Sequence, residues 1–177
     1  MKVIFCYINV MGIPYCDLRA ASLSAVLKAN GHETSLIDFT FGLSYEKALI
    51  QLKEFSPNLI CMSARSTEFL PCVKFAEFLR SSSIKTPIFI GGSHPTIDPE
   101  DTISNKCFDG ICIGEGEYAL LELVERIEKK QDYFDVKNFW FNSENKVIKN
   151  PHRHLIENLD ELPMYDYDLF DMKKYMK

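Results

Sequence analysis

Short runs of consecutive apolar residues alternate along this chain with stretches in which apolar residues recur every three or four positions. That is the pattern of a buried parallel sheet covered by amphipathic helices. The first run, residues 3–10, is of strand length and breaks at Met11-Gly12-Ile13-Pro14. Over residues 17–30, Leu18, Ala21, Ala25 and Val26 follow helical spacing, with Asp17 as N-cap and Asn30-Gly31 as the stop. A strand over 34–39 follows, then a helix marked by Tyr45, Leu49 and Leu52 that Pro57 ends, a strand over 58–63, and a helix carrying Phe69, Val73, Ala76 and Leu79. The fourth strand, Ile88-Phe89-Ile90, runs into Gly91-Gly92. Beyond it a loop leads to Asp98-Pro99-Glu100-Asp101, which has the chemistry of a short helix's start: a capping Asp, Pro at the first position, acids at the positive dipole end. The fifth strand reaches Gly114, and a helix over 118–130 carries Leu120, Leu121, Val124 and Ile127 on one side.

Five strand-helix units joined by short turns imply right-handed crossovers and an open parallel sheet with helices on both faces, in the order 2-1-3-4-5. Such sheets take ligands outside the carboxyl ends of their strands, at the switch point between the first and third strands. Four loops then share one rim: 11–17 with Met11 and Gly12, 63–67 with Ser63, Arg65, Ser66 and Thr67, 91–94 with Gly91, Gly92 and His94, and 114–117 with Gly114, Glu115, Gly116 and Glu117. Gly91 and Gly92 let the main chain take positive φ and approach a bulky ligand closely, although two glycines after a strand are also ordinary turn chemistry. Ser63 and Thr67 have an equally local alternative as ST-turn residues, and His94 as a loop cap.

Beyond residue 130 the pattern changes. Asn138-Phe139-Trp140-Phe141 and Lys146-Val147-Ile148 flank the turn-rich Asn142-Ser143-Glu144-Asn145, which predicts a hairpin added to the core. From Pro151 the chain turns acidic and aromatic, as a segment that docks against something. The division expected is a sheet domain over 1–135, then hairpin and linker over 136–177.

The chain has 177 residues, 46% hydrophobic and 12% aromatic, enough for one packed domain and too apolar for disorder. A net charge of −5 with scattered Lys and Arg argues against a nucleic-acid surface. No apolar run approaches the roughly 20 residues of a membrane span, and no secretory signal is evident, so a cytoplasmic protein is expected. The six cysteines fall in apolar patterns without Cys-x-x-Cys spacing and read as buried, reduced thiols, with no metal or iron-sulfur centre held by this chain alone. His152 and His154 lack neighbouring ligands for a metal site. A receiver-type domain needs an acidic cluster at the first strand and an aspartate ending the third, where Asn9 and Ser63 stand.

Three motifs carry a resemblance over nearly the whole chain: Gly91-Gly92-Ser93-His94-Pro95-Thr96 with Pro99-Glu100, Gly114-Glu115-Gly116-Glu117, and Leu159-Asp160-Glu161-Leu162-Pro163. Together they resemble the N-terminal region of cobalamin-binding radical-SAM proteins. The resemblance implies a flavodoxin-like, Rossmann-like α/β domain with a corrinoid at the carboxyl edge of its sheet, and a linker leading into a radical-SAM barrel. S-adenosylmethionine and a [4Fe-4S] cluster would belong to that barrel. Its Cys-x-x-x-Cys-x-x-Cys run does not occur here, so this chain is expected to be a non-catalytic fragment whose partner is the barrel of the same protein, with neither nucleic acid nor membrane as a partner.

The resemblance also assigns residues. Ser63 and Thr67 would offer hydroxyls to the cofactor's nucleotide tail, Gly91, Gly92, Gly114 and Gly116 would leave room for it, and backbone N–H groups at the start of the last helix would bind an amide or phosphate oxygen, with Glu115 and Glu117 favouring amide donors. Met11, Gly12, Ser66 and His94 complete the contact set, and Arg65 would approach the open cobalt face or pair with Glu68. The loop Asn9-Val10-Met11-Gly12-Ile13-Pro14-Tyr15-Cys16-Asp17 lacks the histidine that methionine synthase and the mutases place on cobalt, which implies base-off, histidine-off binding. Methyl transfer from S-adenosylmethionine is the implied use. The alternative is a cofactor-free structural or protein-interaction domain, for which Met11, Tyr15 and Phe69 would plug the strand ends.

Overall fold

The computed structural model describes residues 1–143 and 146–176. One seven-stranded sheet runs in the order β2-β1-β3-β4-β5-β6-β7. Its strands are β1 (Lys2–Tyr7), β2 (Glu33–Asp38), β3 (Leu59–Ser63), β4 (Ile88–Gly91), β5 (Gly110–Cys112), β6 (Phe139–Ser143) and β7 (Lys146–Lys149). The first five are parallel, in the expected order 2-1-3-4-5, and β6 and β7 add to β5 antiparallel. The expected hairpin is therefore an extension of the sheet itself. Glu144 and Asn145 of its expected turn lie outside the described residues.

The helices are α1 (Leu18–Ala29), α2 (Tyr45–Phe55), α3 (Ser66–Ser81), α4 (Ser93–Ile97), α5 (Pro99–Ser104), α6 (Glu117–Glu128) and α7 (Met172–Tyr175). Asp17 caps α1 as expected, its carboxylate accepting from the Arg19 N–H at 3.2 Å. Ser56 ends α2 in the left-handed region before Pro57. One element departs from the sequence reading: residues 93–97, expected as loop, form α4. Gly92 at φ 99° lets the chain reverse there, the His94 N–H donates to the Ala64 carbonyl, and Thr96 N–H to that of Gly92.

Strand alternation sends successive side chains to opposite faces. One face, with Ile4, Ile60, Met62, Ile88 and Ile90, packs against residues of α2, α3 and α5. The other, with Val3, Phe5, Cys61, Phe89 and Cys112, packs against α1 and α6 and is continued by Phe139 and Phe141 of the hairpin. Phe89, Phe139 and Phe141 pack together, Phe89 edge-on to each of the other two. No helix of the described residues is long and apolar enough to cross a membrane.

The C-terminal segment docks on α1 and the end of β2. Asp166 accepts from the Ser24 hydroxyl at 2.5 Å and pairs with Lys28 at 2.7 Å, while its own N–H donates to the Ala21 carbonyl. Phe170 is buried, the Tyr175 hydroxyl donates to Asp38, and Cys16 lies 3.8 Å from the Met172 sulfur. The tail thus straps across α1 and the end of β2.

Candidate functional site

A cavity of about 470 Å³ opens over the carboxyl ends of β3, β4 and β5 and descends between the sheet and helices α1 and α6. Alternation places Cys61 and Ser63, Phe89 and Gly91, and Cys112 on the sheet side of this slot, facing Leu23 of α1 and Leu120 of α6. Phe139 of the hairpin closes its depth. Ser93, Thr96, Gly114, Glu115, Gly116 and Glu117 form the mouth, with Ile97 and Leu155, 77% and 75% solvent-exposed, reaching over it. Burial keeps the slot's two thiols protonated: it raises Cys61, with Cys112 adding to the effect, and pushes Cys112 up to about 12, with Glu117 adding to it.

The two glycines after β4 do different work. Gly92 has φ 99°, and a Cβ there would stand 2.7 Å from the Ala64 carbonyl oxygen and 2.8 Å from the Ser63 Oγ. Its lack of a side chain is demanded by the chain's own packing, not by a ligand. Gly91 is an ordinary strand residue, paired with Ser63, where a Cβ would meet the Cys112 Cβ at 3.4 Å and the Cys112 carbonyl oxygen at 3.7 Å, both ordinary contacts. Neither backbone nor neighbours require glycine at this position. What its missing side chain leaves is space on the slot side, directly above Phe89.

Across the slot, Gly114 at φ 79° turns the chain from β5 toward α6, with nothing nearer a hypothetical Cβ than the Asn138 Nδ2 at 4.0 Å. A Cβ on Gly116 would press on Leu23 at 3.1 Å. This loop is held from outside. Asn138, itself buried at φ 70°, donates from Nδ2 to the Glu115 carbonyl at 2.8 Å, and its Oδ1 accepts from the Arg153 N–H at 2.7 Å. Thr96 joins the two glycine turns, its hydroxyl donating to the Gly92 carbonyl at 2.8 Å and accepting from the Gly114 N–H at 3.0 Å.

Of the residues singled out in the sequence, Ser63, Gly91, Gly92, Gly114, Glu115, Gly116 and Glu117 line this cavity. Glu115 and Glu117 are engaged by protein partners, the Ile156 N–H at 2.8 Å and the Ser22 hydroxyl at 2.9 Å, rather than left to attract amide donors. Met11, Gly12, Arg65, Ser66, Thr67 and His94 lie outside it. Met11, Gly12, Ser66 and Thr67 are exposed on the rim. The His94 ring stacks on Phe69 at 3.9 Å and meets the Ser66 hydroxyl at 3.3 Å. Arg65 pairs with Glu68 and touches the Tyr15 hydroxyl. Thr96, Cys112 and Leu120 were read in the sequence as core or as part of a motif, and Leu23 was not singled out, since an apolar slot wall and an apolar core give the same pattern.

The switch point between β1 and β3, expected to hold the ligand, is filled by an ionic cluster. Glu68 is fully buried at the start of α3; it accepts from the Arg65 N–H at 2.9 Å and Nε at 3.0 Å, and from Arg19 at 3.4 Å. Arg19 also donates to the buried Asp17 at 2.7 Å. Tyr15 packs edge-on to Tyr7, whose buried hydroxyl has no hydrogen-bond partner among the described residues and is raised by burial and by the nearby Asp17 and Glu68. The open volume is displaced from this crevice toward β4 and β5. None of the three candidate plugs obstructs it: Phe69 lies beneath His94, Tyr15 sits at the switch point, and Met11 faces solvent.

The slot suits a long ligand part that enters edge-on, past Gly91 and Gly114, into an apolar interior, below a wide rim that would support a flat body. The residues present thus fit a corrinoid with its nucleotide tail lowered between sheet and helices.

Comparison with known proteins agrees with that fit. A curated protein of Pyrococcus horikoshii named as an uncharacterized methyltransferase is 28% identical over 169 residues, covering 94% of this chain and 37% of its own length. The 4'-phospho-dehydrooxetanocin synthase of Priestia megaterium is 23% identical, covering 93% of this chain and 23% of its own. Among solved structures, the cobalamin-dependent S-adenosylmethionine radical enzyme OxsB, with aqua-cobalamin and S-adenosylmethionine bound, superimposes with a TM-score of 0.83 at 22% identity over 95% of this chain and 24% of that one. The radical S-adenosylmethionine methyltransferase TsrM from Kitasatospora setae, with cobalamin and a [4Fe-4S] cluster bound, gives 0.77 at 19% identity over 93% and 31%. The chain spans well under half the length of these proteins. The B12 binding domain family matches residues 6–124, two-thirds of the chain, and the chain belongs to that family.

Proposed function

We propose that this chain is the cobalamin-binding part of a cobalamin-dependent radical-SAM enzyme, and that the enzyme is a methyltransferase. In this reading residues 1–135 hold the corrinoid, and residues 136–177 are hairpin and linker toward a radical-SAM domain that carries S-adenosylmethionine and the [4Fe-4S] cluster. The protein works in the cytoplasm, a compartment in which its buried thiols stay reduced. The observation that carries the reading is Gly91, a strand residue that no backbone or packing demand makes glycine and whose missing side chain keeps the slot open.

Cobalamin supplies a cobalt centre that can carry a methyl group; the residues of this chain bind and orient it. Gly91 and Gly114 would leave the passage for the tail, Ser63 would offer it a hydroxyl, and the first N–H groups of α6, whose N-cap Gly116 provides no side-chain acceptor, would bind a phosphate or an amide oxygen. Met11, Gly12, Arg65, Ser66, Thr67 and His94 would form the rim that supports the ring. A base-off, histidine-off mode is supported by the absence of histidine from the β1–α1 loop and by the packing of His94 against Phe69. The exposed Ile13, Ile97, Leu155, Leu159 and Met164 surround the same edge, an apolar margin suited to a covering domain of the same protein.

The cofactor-free alternative draws on the filled β1–β3 crevice, where Arg65, Glu68 and Tyr15 occupy space. Titration of the purified chain with hydroxocobalamin, followed by corrin absorption and gel filtration, separates the two. Stoichiometric retention with a base-off spectrum that survives replacement of His94 and His152 supports the cofactor reading; no retention at tens of micromolar favours the scaffold.

A further inference from the structure

We propose, on the basis of the corrinoid reading above, that this slot selects corrinoids by their lower base, accepting a benzimidazole and discriminating against a purine. The inference comes from where polar groups stop. The side chains in the depth of the slot are those of Leu23, Cys61, Phe89, Cys112, Leu120 and Phe139. Both thiols remain protonated. The main-chain groups of the strands at this level are paired across β3, β4 and β5. Apart from the Ser63 hydroxyl at the carboxyl end of β3, the strong hydrogen-bonding side chains of the cavity are at its mouth, and most are already engaged: Thr96 with Gly92 and Gly114, Glu115 with Ile156, Glu117 with Ser22, Arg19 with Asp17 and Glu68.

A base entering that depth exchanges water for carbon and sulfur. The dimethyl carbocycle of the benzimidazole loses nothing polar by this. Adenine brings an exocyclic amine and additional ring nitrogens, each of which gives up water without finding a partner. An unpaired buried polar group weakens binding by roughly tenfold or more, so cobalamin should bind this chain on the order of 100-fold more tightly than its adenine-based analogue. The sign of the effect is diagnostic. The less basic purine nitrogen leaves cobalt more readily, so if detachment of the base controlled affinity, the adenine form would bind better.

The test is equilibrium binding of three probes to the whole chain, by corrin difference spectra and gel-filtration retention: cobalamin, the adenine-containing cobamide, and cobinamide, which has no nucleotide tail. Cobalamin tightest by tenfold or more over both others supports the proposal, and an L120N variant, which places an amide in the slot wall, should narrow the gap between the two bases. Equal or reversed affinities for the two bases overturn it. Cobinamide binding as tightly as cobalamin also overturns it, because the tail would then lie elsewhere while the corrinoid reading stands. Retention of none of the three overturns the corrinoid reading itself.

Discussion

Replacing Gly91 by valine separates a glycine kept for a ligand from one kept for the fold. Gly91 lies in β4 with strand geometry, and its hypothetical Cβ stands 3.4 Å from the Cys112 Cβ, at the near edge of ordinary contact. A β-branched residue suits a strand, and removal of a strand-interior glycine recovers about 0.5–1 kcal/mol of backbone entropy. The free protein should therefore be unchanged or stabilised, by roughly 1–4 °C in Tm at this size. The added methyls project toward the cavity above Phe89, where a bound tail would have to pass. Overpacking of about 1–3 kcal/mol corresponds to a loss of roughly 5- to 150-fold in corrinoid affinity. Gly92→Ala is the opposite case: at φ 99°, with a Cβ 2.7 Å from backbone, it should cost on the order of 1–3 kcal/mol of stability. Thermal melts and hydroxocobalamin titrations on both variants check the reasoning. A valine variant that binds as the parent does, or that melts much earlier, would refute it.

Four further outcomes follow from the same structure. Glu68→Gln removes the buried carboxylate that joins Arg65 and Arg19; because both guanidiniums reach solvent, the loss should fall below the 3–5 kcal/mol of a dry pair, near 2 kcal/mol in urea unfolding. Asn138→Ala deletes bonds to Glu115 and Arg153 at a positive-φ site and should cost about 2 kcal/mol, with faster amide hydrogen exchange over residues 113–117. His32 is buried, and burial lowers it from 6.5; the unfolded state then takes up a proton before the folded one, so stability is full above pH 6.5 and falls as pH drops below it, a slope that His32→Gln should reduce in pH-dependent melts. Iodoacetamide at pH 8 should label Cys16, which is half-buried, well before the five buried cysteines; mass spectrometry of labelled native protein measures this, and equal labelling would contradict the burial.

The sheet was legible because its signals were local. Continuous apolar runs marked the parallel strands, Asp17 and Asp98 carried cap chemistry, and the Asn30-Gly31 and Pro57 stops fell where α1 and α2 end. What stayed hidden depends on contacts between distant residues. Helix α4 contains no strong former and exists because Gly92 reverses the chain and the Ala64 carbonyl receives the His94 N–H. The filling of the switch point required Arg65, Glu68, Arg19 and Asp17 to meet from two segments, and a sequence offers no rule for which arginine finds which acid. Gly91 and Gly92 read identically along the chain; only the positions of Ala64 and Cys112 tell their roles apart.

The matched family segment ends at residue 124, yet part of what shapes the slot comes after it. Phe139 closes the depth, Asn138 pins the loop between β5 and α6 from the far side, and the Ile156 N–H fixes the Glu115 carboxylate. These contacts tie the mouth of the cavity to the same segment that continues past Arg153 over α6 and on to the strap across α1. That segment is tied to Glu115, next to Gly114, by two side chains: Asn138, which bonds the Glu115 carbonyl and the Arg153 N–H, and Glu115 itself, which accepts from the Ile156 N–H. The geometry of the slot is thus set jointly by the parallel sheet and by the C-terminal segment that follows it, so a change in that segment should be felt at the mouth of the cavity.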